Sequence, residues 1–371
     1  LRAMNKWSDC GLKEQKDLAS WESYKALSLS SVKGTVEIPL EGILFVPDYK
    51  NTFTEEVVSV EIKDGSLCAE QKQAQITNDI WDGESLLDES LFAGNYADKH
   101  MLLLRNKFFK SCAFRTKLQK WFADKHITLS DLKVRGFVTL AEDIAQIVMV
   151  TTHNSMKYLK FVGGLSEKNI KQWAAHTDGT FGVVKWDQPT RFFHGKMVQS
   201  SYQLLNTLPL TEEEVRTLLQ PSIDYIALLR KDTDFMRYHF TDAFAREKDG
   251  EEEQQDGLAE RADVIFTLLH NYPYSDETAL YANFRSDVVR SLKERLKCGH
   301  ILLNGTNATL FGNGPELLKY LAGEEMIPEL KPGQVRSARV ADGPHLPCPR
   351  SPHTPSRTLS CMDTTSGDVS R

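Results

Sequence analysis

Between Val36 and Thr152 the sequence is cut into short runs rich in β-branched residues, each closed by glycine, proline or an Asp-Gly pair. Val36-Glu-Ile38, Ile43-Leu-Phe-Val46, Val57-Val-Ser-Val-Glu-Ile62, Met101-Leu-Leu-Leu104 and Ala145-Gln-Ile-Val-Met-Val-Thr-Thr152 follow one another, with Gly34, Pro39, Gly42, Pro47 and Asp64-Gly65 as punctuation among the first of them. Runs of about four to eight such residues bounded by turn formers read as strands. The pattern predicts a β-rich domain over 32–164. Met101-Leu-Leu-Leu104 reads as a fully buried strand, and Phe108 to Phe114 extends the β-structure. Period two then places Phe108, Lys110, Cys112 and Phe114 on one face. From Phe114 the period changes: Phe114, Leu118, Trp121 and Phe122 fall at helical spacing, with Arg115, Lys117 and Lys120 on the other side. Leu129 to Gly136 reads as a connection. Strands that bracket a crossing helix predict a barrel with insertions, and an α+β fold class for the chain.

The flanks are different in kind. Residues 1–31 predict one or two short helices, and 165–330 a mainly helical connector. Within the connector, 165–176 and Met197 to Leu208 read as helices and Phe181 to Trp186 as a possible strand. Thr211 with Glu214 forms a capping box, and the apolar stripe after it continues past Pro221, where a kink is expected. Nine acids against three bases over 242–263 predict a solvated linker near 245–260. Leu280, Phe284, Val288, Leu292 and Leu296 repeat every fourth residue, and Lys297 and Gly299 end that helix. Ile301 to Leu303, a glycine-rich turn over 304–314 and a helix over 315–322 follow. The segment 331–371, rich in Pro, Ser, Arg and Thr, predicts a disordered or frame-shifted tail.

A net charge of −6 excludes a uniformly basic nucleic-acid binder, but the charge is uneven: Lys99 to Arg135 holds ten Lys and Arg against two acids, a local +8. The six cysteines stand singly, with no C-x-x-C pair, which predicts a reducing cytoplasm and no structural zinc. No stretch of about eighteen uninterrupted apolar residues occurs, so no membrane partner is expected.

Two lysines lie where apolar or neutral residues are expected. Lys110 fits either an edge lysine that carries its ammonium to water, or an ammonium held beside a low-dielectric surface where it attracts phosphate strongly. Lys157 fits either a lysine at a helix start or a partner to Lys110. Asp82 and Asp88 could hold a metal, but in a polar loop they read better as turn and cap residues. The glycine-rich turn lacks the Lys-Ser/Thr of a phosphate loop and reads as structural. In 99–135, Phe108, Phe109, Phe114, Trp121 and Phe122 are interleaved with cations, a mixture that suits a nucleic-acid backbone and its bases.

Taken in order, Asp82-Gly83, Phe108-Phe-Lys110-Ser-Cys112 and Asn154-Ser-Met-Lys157-Tyr-Leu-Lys-Phe161 resemble the first catalytic barrel of single-chain RNA polymerases of the double-psi β-barrel kind. These are the cellular RNA-dependent RNA polymerases and their bacterial and phage relatives. Gln199-Ser-Ser-Tyr-Gln203-Leu-Leu-Asn-Thr-Leu208 is similar to the family's glutamine-bearing helix, Gly299 to Gly314 to the segment before its second barrel, and Arg350-Ser-Pro-His353 to its Arg-x-Pro strand. The resemblance implies that Lys110 and Lys157, with Lys160 the close alternative for the second, bind the phosphates of an incoming nucleoside triphosphate on an RNA or DNA template. It also implies Mg²⁺, held by an Asp-x-Asp-x-Asp triplet in the other barrel. No such triplet occurs in this sequence: Asp363 and Asp368 have the wrong spacing. The expectation is therefore a polymerase fragment, inactive alone, that carries the lysine half of the site. The alternative is a noncatalytic nucleic-acid-binding module that uses the basic 99–135 face.

Overall fold

The computed structural model describes residues 8–13, 17–187, 197–240, 258–305, 308–327, 330–331, 333–337, 345–349 and 359–364. The chain forms two compact units, one of residues 1–187 with 310–327, the other of 188–309 with 328–371. The acidic run falls largely on 241–257, outside the described residues, as do Arg350 to His353 and Asp368.

The first unit begins with helix α1 (Leu18–Lys25), followed by strands β1 (Gly34–Glu37) and β2 (Ile43–Val46). A long hairpin comes next, β3 (Lys50–Lys63) with β4 (Ser66–Asp79), then β5 (Glu84–Asp88), β6 (Met101–Asn106) and β7 (Phe109–Thr116). Helices α2 (Leu118–Asp124) and α3 (Leu129–Val134) lead to β8 (Val138–Thr139), β9 (Met149–Thr152), α4 (Glu167–Ala174) and β10 (Thr180–Trp186). Leu129 to Val134 is thus a helix rather than a bare connection, because Thr128 and Asp131 close a capping box at its start.

Eight strands form one sheet, curled into a half-barrel, in the order β1-β10-β6-β7-β5-β9-β2-β8. From β8 to β6 the successive pairings are antiparallel, parallel, antiparallel, parallel and antiparallel. The pattern is symmetric about the central β5–β9 pair. Thr180 to Trp186, which the composition groups with the helical connector, joins this sheet between β1 and β6.

Alternation along the central strands feeds two apolar cores. Ile43 and Phe45 of β2 enter one core, with Leu87 of β5 and Met149 of β9. Leu44 and Val46 enter the other, with Leu86 and Val150. A strand covered on both faces favours a continuous apolar run, as Ile43-Leu-Phe-Val46 shows. The second core is closed from outside by Leu118 and Phe122 of α2, Leu132 of α3, and Leu317 and Leu321 of α10 (Gly314–Ala322). We call the side of the sheet that faces these helices its outer face.

In the second unit, Met197 to Gln199 is a strand, β11, and not the start of a helix. It pairs with β12 (Leu302–Asn304), and the helix α5 spans only Gln203–Thr207. Helices α6 (Glu212–Lys231), α7 (Thr233–Tyr238), α8 (Leu258–Asn271) and α9 (Ala279–Lys297) supply its core, with Leu229, Met236 and Phe284 fully buried. The helix α6 runs through Pro221 as one element. Tyr225 and His239 are buried together with the phenol oxygen 2.6 Å from His239 Nδ1, and burial holds the imidazole's pKa down at about 3, so it is a neutral core group. Within 331–371, where composition predicts no order, Gln334–Val335, His345–Pro349 and Leu359–Thr364 pair as β13, β14 and β15.

Candidate functional site

The two lysines singled out by the sequence reach the same rim of the half-barrel by different routes. Lys110 is the second residue of β7 and is exposed, with Arg105 of β6 directly across from it. Its face partners are Cys112 and Phe114. Phe108, expected beside them, is instead a buried turn residue with φ 55°, so the two-residue period starts only at Phe109. The turn Lys107-Phe108 closes the β6–β7 hairpin, and a left-handed φ at a phenylalanine is held there by packing against Tyr158 and Phe161.

Lys157 arrives from the loop after β9. Two short 3₁₀ turns, His153–Ser155 and Lys157–Lys160, carry it back over β7. The Lys157 backbone amide donates to the Phe108 carbonyl (2.8 Å), and Met156 bridges Phe109. The loop's other end is tied down as well: the Asp48 amide donates to His153 Nδ1 (3.1 Å), and Asn154 Nδ2 donates to the carboxylates of Asp48 (3.2 Å) and Asp79 (2.9 Å). These bonds fix the backbone that carries Lys157, so binding has only its side chain left to order.

The electrostatics couple these groups. Burial pushes the Lys157 ammonium's pKa below its ordinary value, Asp82 pulls it back up, and Lys160 and Lys110 depress it further. Three ammonium groups and one carboxylate therefore share one rim, with Asp82-Gly83 as the turn into β5. Gly83 has φ +77°, and its carbonyl accepts from the Cys112 amide (2.8 Å) and the Ser111 hydroxyl (3.0 Å). Lys160, the alternative second lysine, donates to the Tyr24 hydroxyl (2.9 Å) and lies over that ring. An excess of positive charge beside a low-dielectric wall suits a phosphate or other small anion.

Asp88 has the capping role its position suggested. It accepts from the Ser90 amide and hydroxyl and from the Gln119 amide. Among the described residues no group of three or more His, Cys, Asp or Glu gathers as a metal site, so the side chains present do not fit the magnesium that the resemblance implies.

The cations of the basic 99–135 segment differ in their surroundings. Lys107 is buried and donates to the His176 carbonyl (2.7 Å), Lys125 pairs with Glu324 (2.7 Å), and Arg135 and Arg115 donate to the carbonyls of Ala322 and Ala97. Lys110, Lys117, Lys120 and Lys133 are the exposed remainder, spread over three elements.

One residue escaped the sequence reading. Glu84, at the head of β5, is 3% exposed on the outer face, directly beside Cys112, and neither carboxylate oxygen has a hydrogen-bond partner. Burial pushes its carboxyl up to about 8 from 4.5. An acid two residues before the buried Leu86-Leu87 pair was the available signal. Among the described residues no helix is long and apolar enough to cross a membrane. The chain matches no protein-family model, no curated protein and no solved structure.

Proposed function

We propose that this chain carries the nucleotide-phosphate-binding half of a template-dependent RNA polymerase site, with Lys110 and Lys157 on the phosphates of an incoming nucleoside triphosphate. What carries the reading is the convergence of these two lysines, from segments on opposite sides of the crossing helices, on the Asp82-Gly83 turn. The symmetric run of pairings about β5 and β9, with one parallel pair on each side, agrees with the double-psi barrel of the family that the motifs resemble. In such a site the lysines position the triphosphate and neutralise charge that builds on it, and the chemistry needs little else from this half. The sequence holds no Asp-x-Asp-x-Asp triplet, so the magnesium ligands that the resemblance implies would have to come from outside this chain.

Titration of the full chain with a nucleoside triphosphate at low ionic strength tests this. Lys110→Ala and Lys157→Ala should each weaken binding by about ten- to a hundredfold, since a charge-assisted hydrogen bond contributes about 1.5–3 kcal/mol. Unchanged affinity in both variants would remove these lysines from the site.

A further inference from the structure

The segment that covers Glu84 comes from far along the chain and is held on the outer face by ring contacts, by the buried Leu317 and Leu321, and by the bond from Arg135 to the Ala322 carbonyl (2.7 Å). Phe311 stacks on Phe114 with ring centroids 4.0 Å apart. Gly312 lies so close to Trp81 that a Cβ there would clash with its Cδ1, and Trp81 Nε1 donates to the Asn313 carbonyl (3.3 Å). A Cβ at Gly314 would stand 3.8 Å from Glu84 Oε1. The helix α10 then buries Leu317 and Leu321, and its Tyr320 packs on Trp81. Beneath this cover Glu84 has no cation and no well-aligned donor. The Gly312 amide favours the ionised form slightly but closes no aligned bond to either oxygen.

The titratable groups on the elements packed around Glu84 are Asp88 of β5, Lys110, Cys112 and Arg115 of β7, Arg105 of β6, Asp48 after β2, and Glu316, Lys319 and Tyr320 of α10; of these, only Asp48 acts on the Glu84 carboxyl by charge. Asp48 adds to the upward push on Glu84, and the Cys112 thiol is itself pushed up to about 12, so it stays neutral. Nothing among these contacts rewards a charge on Glu84 while the cover is in place.

We propose that Leu310 to Ala322 is a releasable strap over the outer face of β5 to β7, latched by the uncharged form of the Glu84 side chain and loosened as the solution becomes more alkaline. With the strap lifted, Glu84 meets water and regains an ordinary carboxyl. The closed form holds a proton that the open form releases, so closure is strongest below the ordinary pKa, 4.5. It weakens up to the closed-state value, about 8, and is level beyond it. The strap stands whatever ligand Lys110 and Lys157 take.

Hydrogen exchange of the α10 amides, followed from pH 5 to pH 9 in wild type and in Glu84→Gln, tests the latch. Glutamine keeps the shape and cannot ionise. The ratio of wild-type to variant exchange at each pH should rise about tenfold per pH unit up to about pH 8 and then flatten. Parallel profiles in the two proteins would overturn the proposal. Gly312→Ala supplies a second test, since its methyl group cannot coexist with Trp81 in the closed form. It should raise alkylation of Cys112, read at that peptide by mass spectrometry, about tenfold or more at pH 6, while β6 amides stay protected. Alkylation at the wild-type rate would show that no such cover is in place.

Discussion

The two hairpins of the first unit, β3–β4 and β6–β7, are built alike and end in opposite environments. Each pairs antiparallel in unbroken register across a two-residue turn, Asp64-Gly65 in one and Lys107-Phe108 in the other. The arm formed by β3 and β4 extends roughly 45 Å at the usual rise of a strand. It stands in solvent, with Ile62 76% and Leu67 77% exposed at its tip. The β6–β7 hairpin is flanked by β10 and β5 and buries Leu102, Leu104, Phe109 and Ala113 completely. Pairing and alternation set the local geometry in both. Burial is set by whether another strand and a helix are supplied on each side.

Five substitutions probe that contrast, from the largest effect to the smallest, with Lys63→Ala set beside Lys107→Ala as its counterpart. Phe109→Ala removes a ring packed edge-on against Phe181 and should cost about 3–5 kcal/mol in denaturant unfolding of the first unit. Lys107→Ala leaves the His176 carbonyl without its donor inside the fold and should cost about 1–3 kcal/mol. The lysine beside the other turn, Lys63, meets only exposed carboxylates, so Lys63→Ala should stay within about 0.5 kcal/mol. Equal costs for the two lysines would break the comparison. Gly65→Ala, at φ +78°, should weaken the arm by about 1 kcal/mol. That loss should appear as faster exchange of arm amides with no change in the unfolding midpoint. Ile62→Thr should be smallest, within about 0.5 kcal/mol, and visible mainly as reduced self-association at high concentration.

The same contrast explains what could be read in advance. Ile43 to Val46, Met101 to Leu104 and the helical spacing from Leu118 to Phe122 are legible because burial on a fixed face demands apolar side chains at a fixed period. The second strand of the arm, Ser66 to Asp79, carries Glu70, Gln71, Lys72, Gln73 and Gln75 and buries nothing, so no apolar period marks it. Its partner could be read only in the stretch Val57 to Ile62. Met197-Val-Gln199 reads as the start of a helix because its pairing with Leu302 to Asn304 lies about a hundred residues away and leaves no local mark. At the candidate site the lysines stood out as charges beside apolar runs. Asp82's coupling to Lys157, and the isolation of Glu84, depend on tertiary neighbours that spacing does not encode.

The hydrogen bond from Trp81 to Asn313 joins residues 232 positions apart, and this has a consequence during synthesis. At about 5–20 residues per second, the outer face around Trp81 and Glu84 emerges roughly ten to fifty seconds before the strap that covers it. Throughout that interval Trp81, Phe114 and Leu86 form an apolar patch open to other nascent chains. Glu84, ionised while still wet, gives this patch a negative charge that discourages premature association until the covering segment has been made.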